Sequence, residues 1–232
     1  AHIGKEMFEE QDPSILGGMF AVWNDHVGNG ISTKDIHHRV FPALQTLAVK
    51  TWTGANTTLP YTEFDRKRQL ISEAPGVNQM GRIGNKPGLV YEQSTVIPGS
   101  KAPYREIGYD YLVTFDIDGA PEVPNTVLFS SPDAVFYLSD PISGMLGFAR
   151  DGYLNTFSHR IHKGERMNIG ISGDSKTTRL LINGKVVEEM NIEKRFFNGG
   201  KDSMNYVRTL VFPLQQAGQF KSKVTNLKVY KK

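Results

Sequence analysis

The sequence predicts a mainly β protein, an antiparallel sandwich or barrel that follows a small α/β segment. From about residue 88 onward, short runs that alternate apolar and polar residues follow one another, each bounded by turn residues. Two of the turns, Asp151-Gly152 and Asn183-Gly184, are pairs typical of two-residue hairpins, because both central positions need positive φ. Before residue 88 the apolar residues recur at helical spacing instead, after one short apolar run.

Composition narrows the class of protein. The 232 residues are 39% hydrophobic and carry a formal net charge of +3, an ordinary globular balance with scattered basic residues and no nucleic-acid surface. The absence of cysteine excludes disulfides and thiolate metal sites. No apolar run reaches the roughly 18 residues that span a bilayer. The start, residues 1–6, lacks the apolar core of a signal peptide, so the compartment is left open.

The segment most suggestive of function lies near the start of the chain. After a polar loop over residues 1–14, the run at 15–23 begins with Gly17-Gly18 and ends in Trp23, and Asn24 and Asp25 follow. This pattern predicts a buried parallel strand that delivers polar groups at its C-terminal end, with a loop over 24–31. An indole face can stack on the apolar C–H face of a sugar, and a carboxylate accepts hydrogen bonds from sugar hydroxyls.

A family resemblance covers about residues 10–80. The order Gly17-Gly18, Trp23-Asn24-Asp25, Arg39–Ala43 and Lys50–Trp52 resembles the last strand and helix of the catalytic barrel of family-twenty glycoside hydrolases. These are the β-N-acetylhexosaminidases and lacto-N-biosidases. The resemblance implies that Trp23 forms part of the aromatic wall around an N-acetylhexosamine and that Asp25 accepts hydrogen bonds from its outer hydroxyls. Many members carry Glu at this position, so Asp25 departs from the pattern by its shorter reach.

The same resemblance implies a retaining, substrate-assisted, exo-acting parent enzyme, with this chain as its C-terminal part. That chemistry needs neighbouring Asp and Glu residues on an earlier barrel strand. The sequence has no such pair, since Glu9, Glu10 and Asp12 lie in a loop and Glu188-Glu189 lies in the β region. We therefore predict no catalytic residue and an inactive isolated chain. The expected partners are N-acetylhexosamine-containing glycans, the remainder of the barrel and a second copy of the chain; the parent is expected in the periplasm or outside the cell.

Two helices are predicted after the first strand. The first runs from Ser32, which fits the N-cap, to about Trp52, with a kink or break at the internal Pro42. Its apolar face comprises Ile36, Val40, Leu44, Leu47 and Ala48. The second is expected from Thr62 to Ala74, before Pro75-Gly76. Its buried side comprises Phe64, Leu70 and Ile71.

The β region contains about ten predicted strands. The clearest lies within Glu106–Asp118, whose odd-numbered residues from Tyr109 to Ile117 share one face. The others are 126–131, 134–139, 145–150, 153–159, 167–172, 177–182, 185–192, 207–214 and 223–230. We interpret Lys194-Arg195 as solvated charge and Gly199-Gly200 as loop glycines. The predicted division is 1–76 for the barrel portion and second helix, 77–87 for a linker and 88–232 for a sandwich.

A second resemblance concerns that sandwich. Leu128–Ser131, Gly147–Gly152 and Thr178–Lys185 together resemble the laminin-G or concanavalin-like jelly roll. This implies a fold more than a function, because such folds include lectins, enzymes and inert spacers. The alternative function is therefore a non-catalytic carbohydrate-binding or structural module, whose N-terminal helices only brace the sandwich.

Candidate metal ligands are few. His37 and His38 point about 100° apart on a helix, so they cannot face one metal together, and His26 lies in a loop. The carboxylates of Asp116, Asp118, Asp133 and Asp140 could supply a calcium site, but turn and strand-end roles are the commoner meaning. We expect no cofactor and no metal site, with calcium in the sandwich left as an open alternative.

Overall fold

The computed structural model describes residues 13–14, 16–23, 33–53, 59–68, 70–71, 87–150 and 152–232. Two helices, α1 (Thr33–Thr53) and α2 (Tyr61–Arg68), precede the β region. The strands are β1 (Gly88–Thr95), β2 (Glu106–Ile107), β3 (Tyr111–Asp118), β4 (Thr126–Ser130), β5 (Ala134–Ser139), β6 (Gly147–Arg150), β7 (Tyr153–Thr156), β8 (Arg166–Gly173), β9 (Thr178–Ile182), β10 (Lys185–Met190), β11 (Glu193–Phe197), β12 (Asp202–Tyr206), β13 (Phe212–Pro213), β14 (Gln216–Ala217) and β15 (Lys223–Lys231).

Helix α1 is continuous through Pro42, so of the two predicted alternatives the division into two helices is wrong, and the kink stays a prediction. Its predicted apolar face is at most half-buried, and Leu44 is exposed. Helix α2 ends at Arg68 rather than near Ala74, which lies outside the described residues. Leu70 and Ile71 follow it in an exposed turn, which contradicts their predicted burial. A two-turn helix with little apolar surface gains little from packing, so it ends early.

The predicted strand at 15–23 is also wrong for the residues the structure describes. Residues 16–23 form no helix or strand, and Leu16, Met19 and Trp23 are largely exposed. The segment contacts α1 near Gly18, where an added Cβ would lie 3.4 Å from Leu47 Cδ1. A parallel strand needs a hydrogen-bonded neighbour, and the described part of the chain provides none for this segment.

The first layer of the sandwich is a six-stranded antiparallel sheet in the order β1-β15-β3-β8-β9-β10. Strand β3 lies near its centre and shows the predicted alternation, with Tyr111, Val113, Phe115 and Ile117 all buried on one face. Tyr109 is buried as well, but it precedes the strand, because Asp110 between them adopts a φ of 62°. The apolar face of this sheet points towards the second layer.

The second layer is a five-stranded antiparallel sheet in the order β14-β4-β5-β6-β7. Phe212, on the short strand β13, joins the two layers. Its ring lies 6.2 Å from that of Tyr111 in the first sheet, and 6.3 Å and 5.2 Å from those of Phe129 and Phe136 in the second. All four rings are buried, so the core lies between the sheets and the sandwich has a single apolar interior.

The two predicted hairpin turns depend on residues that adopt positive φ, and the structure contains both hairpins. Asn183 and Gly184 have φ values of 50° and 78° and connect β9 to β10, as predicted. Arg150 pairs with Tyr153 across the β6–β7 turn, in which Gly152 has a φ of 80°, while Asp151 lies outside the described residues.

The strands of the structure differ from those expected from the sequence at three places. Strand β1, an edge strand paired with β15, was not predicted, because its residues show no clean alternation. The predicted strand at 207–214 shrinks to Phe212–Pro213. The charged pair and glycines at 194–200 belong to a protruding hairpin, β11–β12, in which Arg195 lies 4.1 Å from the ring centre of Tyr206. An isolated two-stranded hairpin is only marginally stable, and the cation–π contact between Arg195 and Tyr206 helps to stabilise this one.

The predicted fold class, a mainly β protein with antiparallel sheets in a sandwich, is confirmed. Two helices precede the sandwich, but the α/β unit lacks its strand in the residues described. The division at 76 and 87 stays a prediction, although β1 begins at Gly88. Of the helices in the described ranges, none is sufficiently long and apolar to span a membrane.

Candidate functional site

The predicted sugar-binding side chain, Trp23, lies on the surface with 79% of its area exposed. Its indole is therefore accessible to a ligand and contributes nothing to the sandwich core. Asp25, its predicted partner, lies outside the described residues. Trp52, the second tryptophan, lies at the end of α1 and is 91% exposed. Large aromatic residues are usually well buried, so each of these exposed indoles offers apolar surface for contact.

A small cavity between α1 and α2 adds apolar surface to the same part of the chain. Its volume is 290 Å³, and Val49, Leu59, Tyr61 and Phe64 provide most of its apolar lining. The amide of Gln45 donates to the backbone oxygen of Arg68 at 3.3 Å and holds the helices together. The cavity lies just below the usual size of small-molecule sites and has one cationic lining residue, Lys50, which makes it a packing gap rather than a polar binding site.

The outer face of the five-stranded sheet is a second surface on which a sandwich can bind ligands. Its central row pairs Val135 with Ala149 and Leu154, and the next row pairs Tyr137 with Gly147. Only 9% of the surface of Tyr137 is exposed to solvent. Sugar recognition needs several directed polar groups beside an aromatic platform. Small aliphatic residues dominate these two rows, so the face does not have that composition.

A buried polar network closes one end of the core. The Nη1 atom of Arg150 donates to the backbone oxygen of Thr209 at 2.6 Å and to its hydroxyl at 2.5 Å. The ammonium of Lys231 donates to the backbone oxygen of Tyr109, and its burial lowers the pKa of Lys231, which the nearby Asp110 carboxylate partly opposes. Both cations donate hydrogen bonds to main-chain oxygens, so their role is to stabilise the fold. The burial of Arg150 was not predicted from the sequence, although Arg150 lies two residues after Phe148 on β6, which places both side chains on the same face of the sheet.

The candidate calcium ligands are held by other partners. Asn226 and Asn168 donate to the Asp116 carboxylate, which lowers the pKa of Asp116, and Arg166 pairs with Asp118 at 2.9 Å. Asp140 is enclosed by backbone amides and hydroxyls. In the described ranges no three His, Asp or Glu side chains gather as metal ligands. Calcium in the sandwich therefore remains a hypothesis without a defined site.

The histidines add no metal site to the described ranges. The imidazole of His37 stacks on the ring of Phe41 on the same helix, with the ring centres 5.6 Å apart. The side chain of His38 and the whole of His26 lie outside what the structure describes.

The strand pairing defines the class of protein, an antiparallel β-sandwich with an N-terminal helical segment. No protein-family model matches the chain, and no characterised relative matches by sequence. Domain 4 of an extracellular arabinanase from Geobacillus stearothermophilus, solved with arabinotriose, is 14% identical, with a TM-score of 0.33 over 60% of this chain and 65% of that one.

Two further solved structures are similar to this chain, again with low sequence identity and low TM-scores. A galectin from Caenorhabditis elegans is 7% identical, with a TM-score of 0.39 over 60% of this chain and 94% of its own. A sialidase from Trypanosoma rangeli is 7% identical, with a TM-score of 0.32 over 84% of this chain and 37% of its own. The chain spans just under two thirds of the arabinanase domain and about a third of the sialidase. Every TM-score is below 0.5, so the fold assignment rests on the strand pairing of this chain.

Proposed function

We propose that this chain is a carbohydrate-binding β-sandwich joined to the terminal strand–helix unit of a β-N-acetylhexosaminidase-type barrel. In this proposal the parent is an exo-acting, retaining, substrate-assisted glycoside hydrolase. The chain supplies Trp23 and Asp25 to the subsite that holds an N-acetylhexosamine, and it supplies no acid or base. The β-sandwich is an accessory domain, and its laminin-G-like character remains a prediction.

One observation carries the proposal: a segment with the composition of a buried strand presents its apolar side chains to water. Leu16, Met19 and Trp23 are largely exposed, and Phe20 and Val22 are close to half exposed. Full burial of one large apolar side chain stabilises by roughly 1.5–3 kcal/mol, so the segment gains considerably once neighbouring strands cover it. A strand of a parallel barrel has this requirement, because both of its faces are buried in the assembled barrel.

The roles of Trp23 and Asp25 follow from what each side chain can do. The indole offers a flat apolar face on which the C–H face of a pyranose stacks, and its exposure leaves that face free. A carboxylate accepts hydrogen bonds from two sugar hydroxyls at once. Together the pair would orient a sugar without performing chemistry on it.

The sandwich itself favours the second candidate, a non-catalytic carbohydrate-binding or structural module. All buried apolar side chains in the described ranges lie between Val96 and Val229, so the sandwich core is complete without the helices. A sandwich with its own core can be a separate module whose N-terminal segment is only an attachment. The two candidates differ in whether Trp23 binds sugar.

A titration of this chain with the N-acetylglucosamine disaccharide, followed by NMR chemical shifts, tests the proposal. Trp23→Ala removes the stacking surface, so we expect at least about tenfold weaker binding, which corresponds to about 1.4 kcal/mol. Trp52→Ala is the matched control, since it deletes an equally exposed indole and should leave the affinity within twofold. Thermal melts should be unchanged for both variants. Equal losses in the two variants would contradict the proposed role of Trp23.

A further inference from the structure

A cleft at one end of the sandwich lies where three connecting loops meet. The loops follow β3, β5 and β7, and together they enclose 330 Å³, which falls within the range of small-ligand sites. Arg160, His162 and Lys163 line it from the β7–β8 loop, Ile142 and Ser143 from the β5–β6 loop, and Glu122 from the β3–β4 loop. This cleft contains none of the residues discussed as sugar ligands above.

Two cationic side chains line the cleft, Arg160 and Lys163, together with the carboxylate of Glu122. Both cations are exposed and lie on a single loop, with the exposed His162 between them. The nearest carboxylates are already engaged. Glu122 accepts hydrogen bonds from the backbone amides of Lys221 at 2.9 Å and Ser222 at 2.7 Å, and Glu165 accepts from the backbone amide of His162 at 2.9 Å. These hydrogen bonds leave the negative charge of both carboxylates in place, so an incoming anion would bind through local contacts with Arg160 and Lys163 rather than through a net positive charge of the cleft.

The loops that carry these groups are held in place before any ligand arrives. The carboxylate of Asp140 accepts hydrogen bonds from the backbone amides of Ile142 at 2.8 Å and Ser143 at 2.6 Å. The guanidinium of Arg160 donates to the backbone oxygen of Ser143 across the cleft.

The opposite loop is pinned at Gly119. Its backbone amide donates to the backbone oxygen of Glu165, and its backbone oxygen accepts from the backbone amide of Gly164, each at 2.8 Å. An added Cβ on Gly119 would lie only 2.2 Å from the backbone oxygen of His162, so the two loops touch at this point. A preorganised site loses less conformational entropy on binding than a mobile one.

The cleft combines these cations with apolar surface. Ile142 is 84% exposed at its rim, and Pro121 and Pro124 line the other side. A sugar ring offers C–H faces to such surface, whereas a planar guanidinium binds carboxylate or sulfate oxygens in a bidentate manner. We propose that this cleft binds the anionic substituent, carboxylate or sulfate, of an acidic saccharide.

Calorimetric titration of the whole chain with three matched trisaccharides tests this proposal: a uronate, a singly sulfated trisaccharide and the neutral parent. We expect at least one acidic trisaccharide to bind about tenfold or more tightly than the neutral one, with an affinity that falls between 50 and about 300 mM salt. Whichever acidic probe binds identifies the substituent. Equal binding of all three, or binding of none, would overturn the proposal.

Variants locate the binding and separate it from the Trp23 proposal. Lys163→Gln removes an exposed charge and should weaken binding of the acidic trisaccharide about three- to tenfold. Arg160→Lys keeps the charge but removes the planar guanidinium that donates two hydrogen bonds to one anion, and it should weaken binding by a similar factor. Lys176→Gln, an exposed lysine in the β8–β9 turn at the opposite end of β8, is the control and should change nothing. Trp23→Ala should also leave acidic binding unchanged. If Lys163→Gln and Arg160→Lys both bind like the wild type, the cleft is not the site.

Discussion

Asp140 supports the β5–β6 loop through one buried carboxylate, and Asp140→Asn tests how much that charge contributes. The Oδ1 atom accepts from the backbone amides of Ile142, Ser143 and Gly144, at 2.8, 2.6 and 3.3 Å. The Oδ2 atom accepts from the hydroxyls of Ser143 at 2.5 Å and Thr156 at 2.9 Å. Asparagine keeps one acceptor for the amides and places an NH₂ group where the hydroxyls now donate.

The expected loss of stability follows from these bonds. Hydrogen bonds to a charged acceptor are worth about 1.5–3 kcal/mol each, but both hydroxyls can rotate and accept from the new NH₂ group. We therefore expect Asp140→Asn to lower the free energy of unfolding by about 2 kcal/mol at pH 7. Asp140→Ala should cost more, because it leaves buried amides without an acceptor.

The effect should depend on pH in a defined direction. Burial acts to raise the pKa of Asp140, but the hydrogen bonds from Ser143, Ile142 and Thr156 outweigh it and hold the pKa below its ordinary value. A group whose pKa is depressed by folding contributes stability above its unfolded pKa, about 3.9, and loses it as the pH falls through the folded pKa. The gap between wild type and Asp140→Asn should therefore narrow below about pH 4.

Urea-induced unfolding, followed by far-UV circular dichroism at pH 7 and at about pH 3, measures the loss of stability and its dependence on pH. Asp202→Asn is the matched control, because Asp202 is exposed and accepts one hydrogen bond from the amide of Asn198 at 3.0 Å. That change should stay within about 0.5 kcal/mol of wild type. If Asp140→Asn is as stable as the wild type at pH 7, or if the gap is the same at both pH values, the reasoning about this loop is refuted.

Two further predictions concern the core. Phe212→Ala should lower the free energy of unfolding by about 3–5 kcal/mol in chemical denaturation, because it opens a cavity between the two sheets, whereas Phe196→Ala on the exposed hairpin should cost under about 1 kcal/mol. Gly173→Ala should cost about 1–3 kcal/mol and lower the melting temperature, because the new Cβ would lie 2.5 Å from the ring of Tyr111, whose hydroxyl is bonded to Leu210; an unchanged melt would mean that this ring can move aside.

Local chemistry made much of the sandwich predictable from sequence. Strand β3 alternates cleanly because one of its faces lies on the core, and its predicted inward residues are all buried. The Asn183-Gly184 turn could be assigned because few other residues adopt positive φ at both positions. Both features depend on residues within a few positions of each other, so no tertiary contact was needed to recognise them.

Other features needed tertiary contacts that no local pattern reports. Strand β1 forms because β15 provides its hydrogen-bonding partner, with Gly88 pairing with Lys231 and Thr95 with Thr225. The segment 16–23 has strand-like composition but pairs with nothing in the described ranges, so composition alone predicted the wrong structure there. The exposure of Trp23 was likewise decided by the absence of a covering neighbour in those ranges.

The sequence by itself determined the fold class, because alternation and turn residues act over short distances, and it singled out Trp23 and Asp25 through a family resemblance. Only the tertiary structure brought Arg160 and Lys163 opposite Ile142 and Ser143. The two loops are separated by the strands β6 and β7, and antiparallel pairing returns the chain to the same end of the sandwich. A cleft made of loop ends depends on strand order and register, which long-range packing decides and local sequence does not.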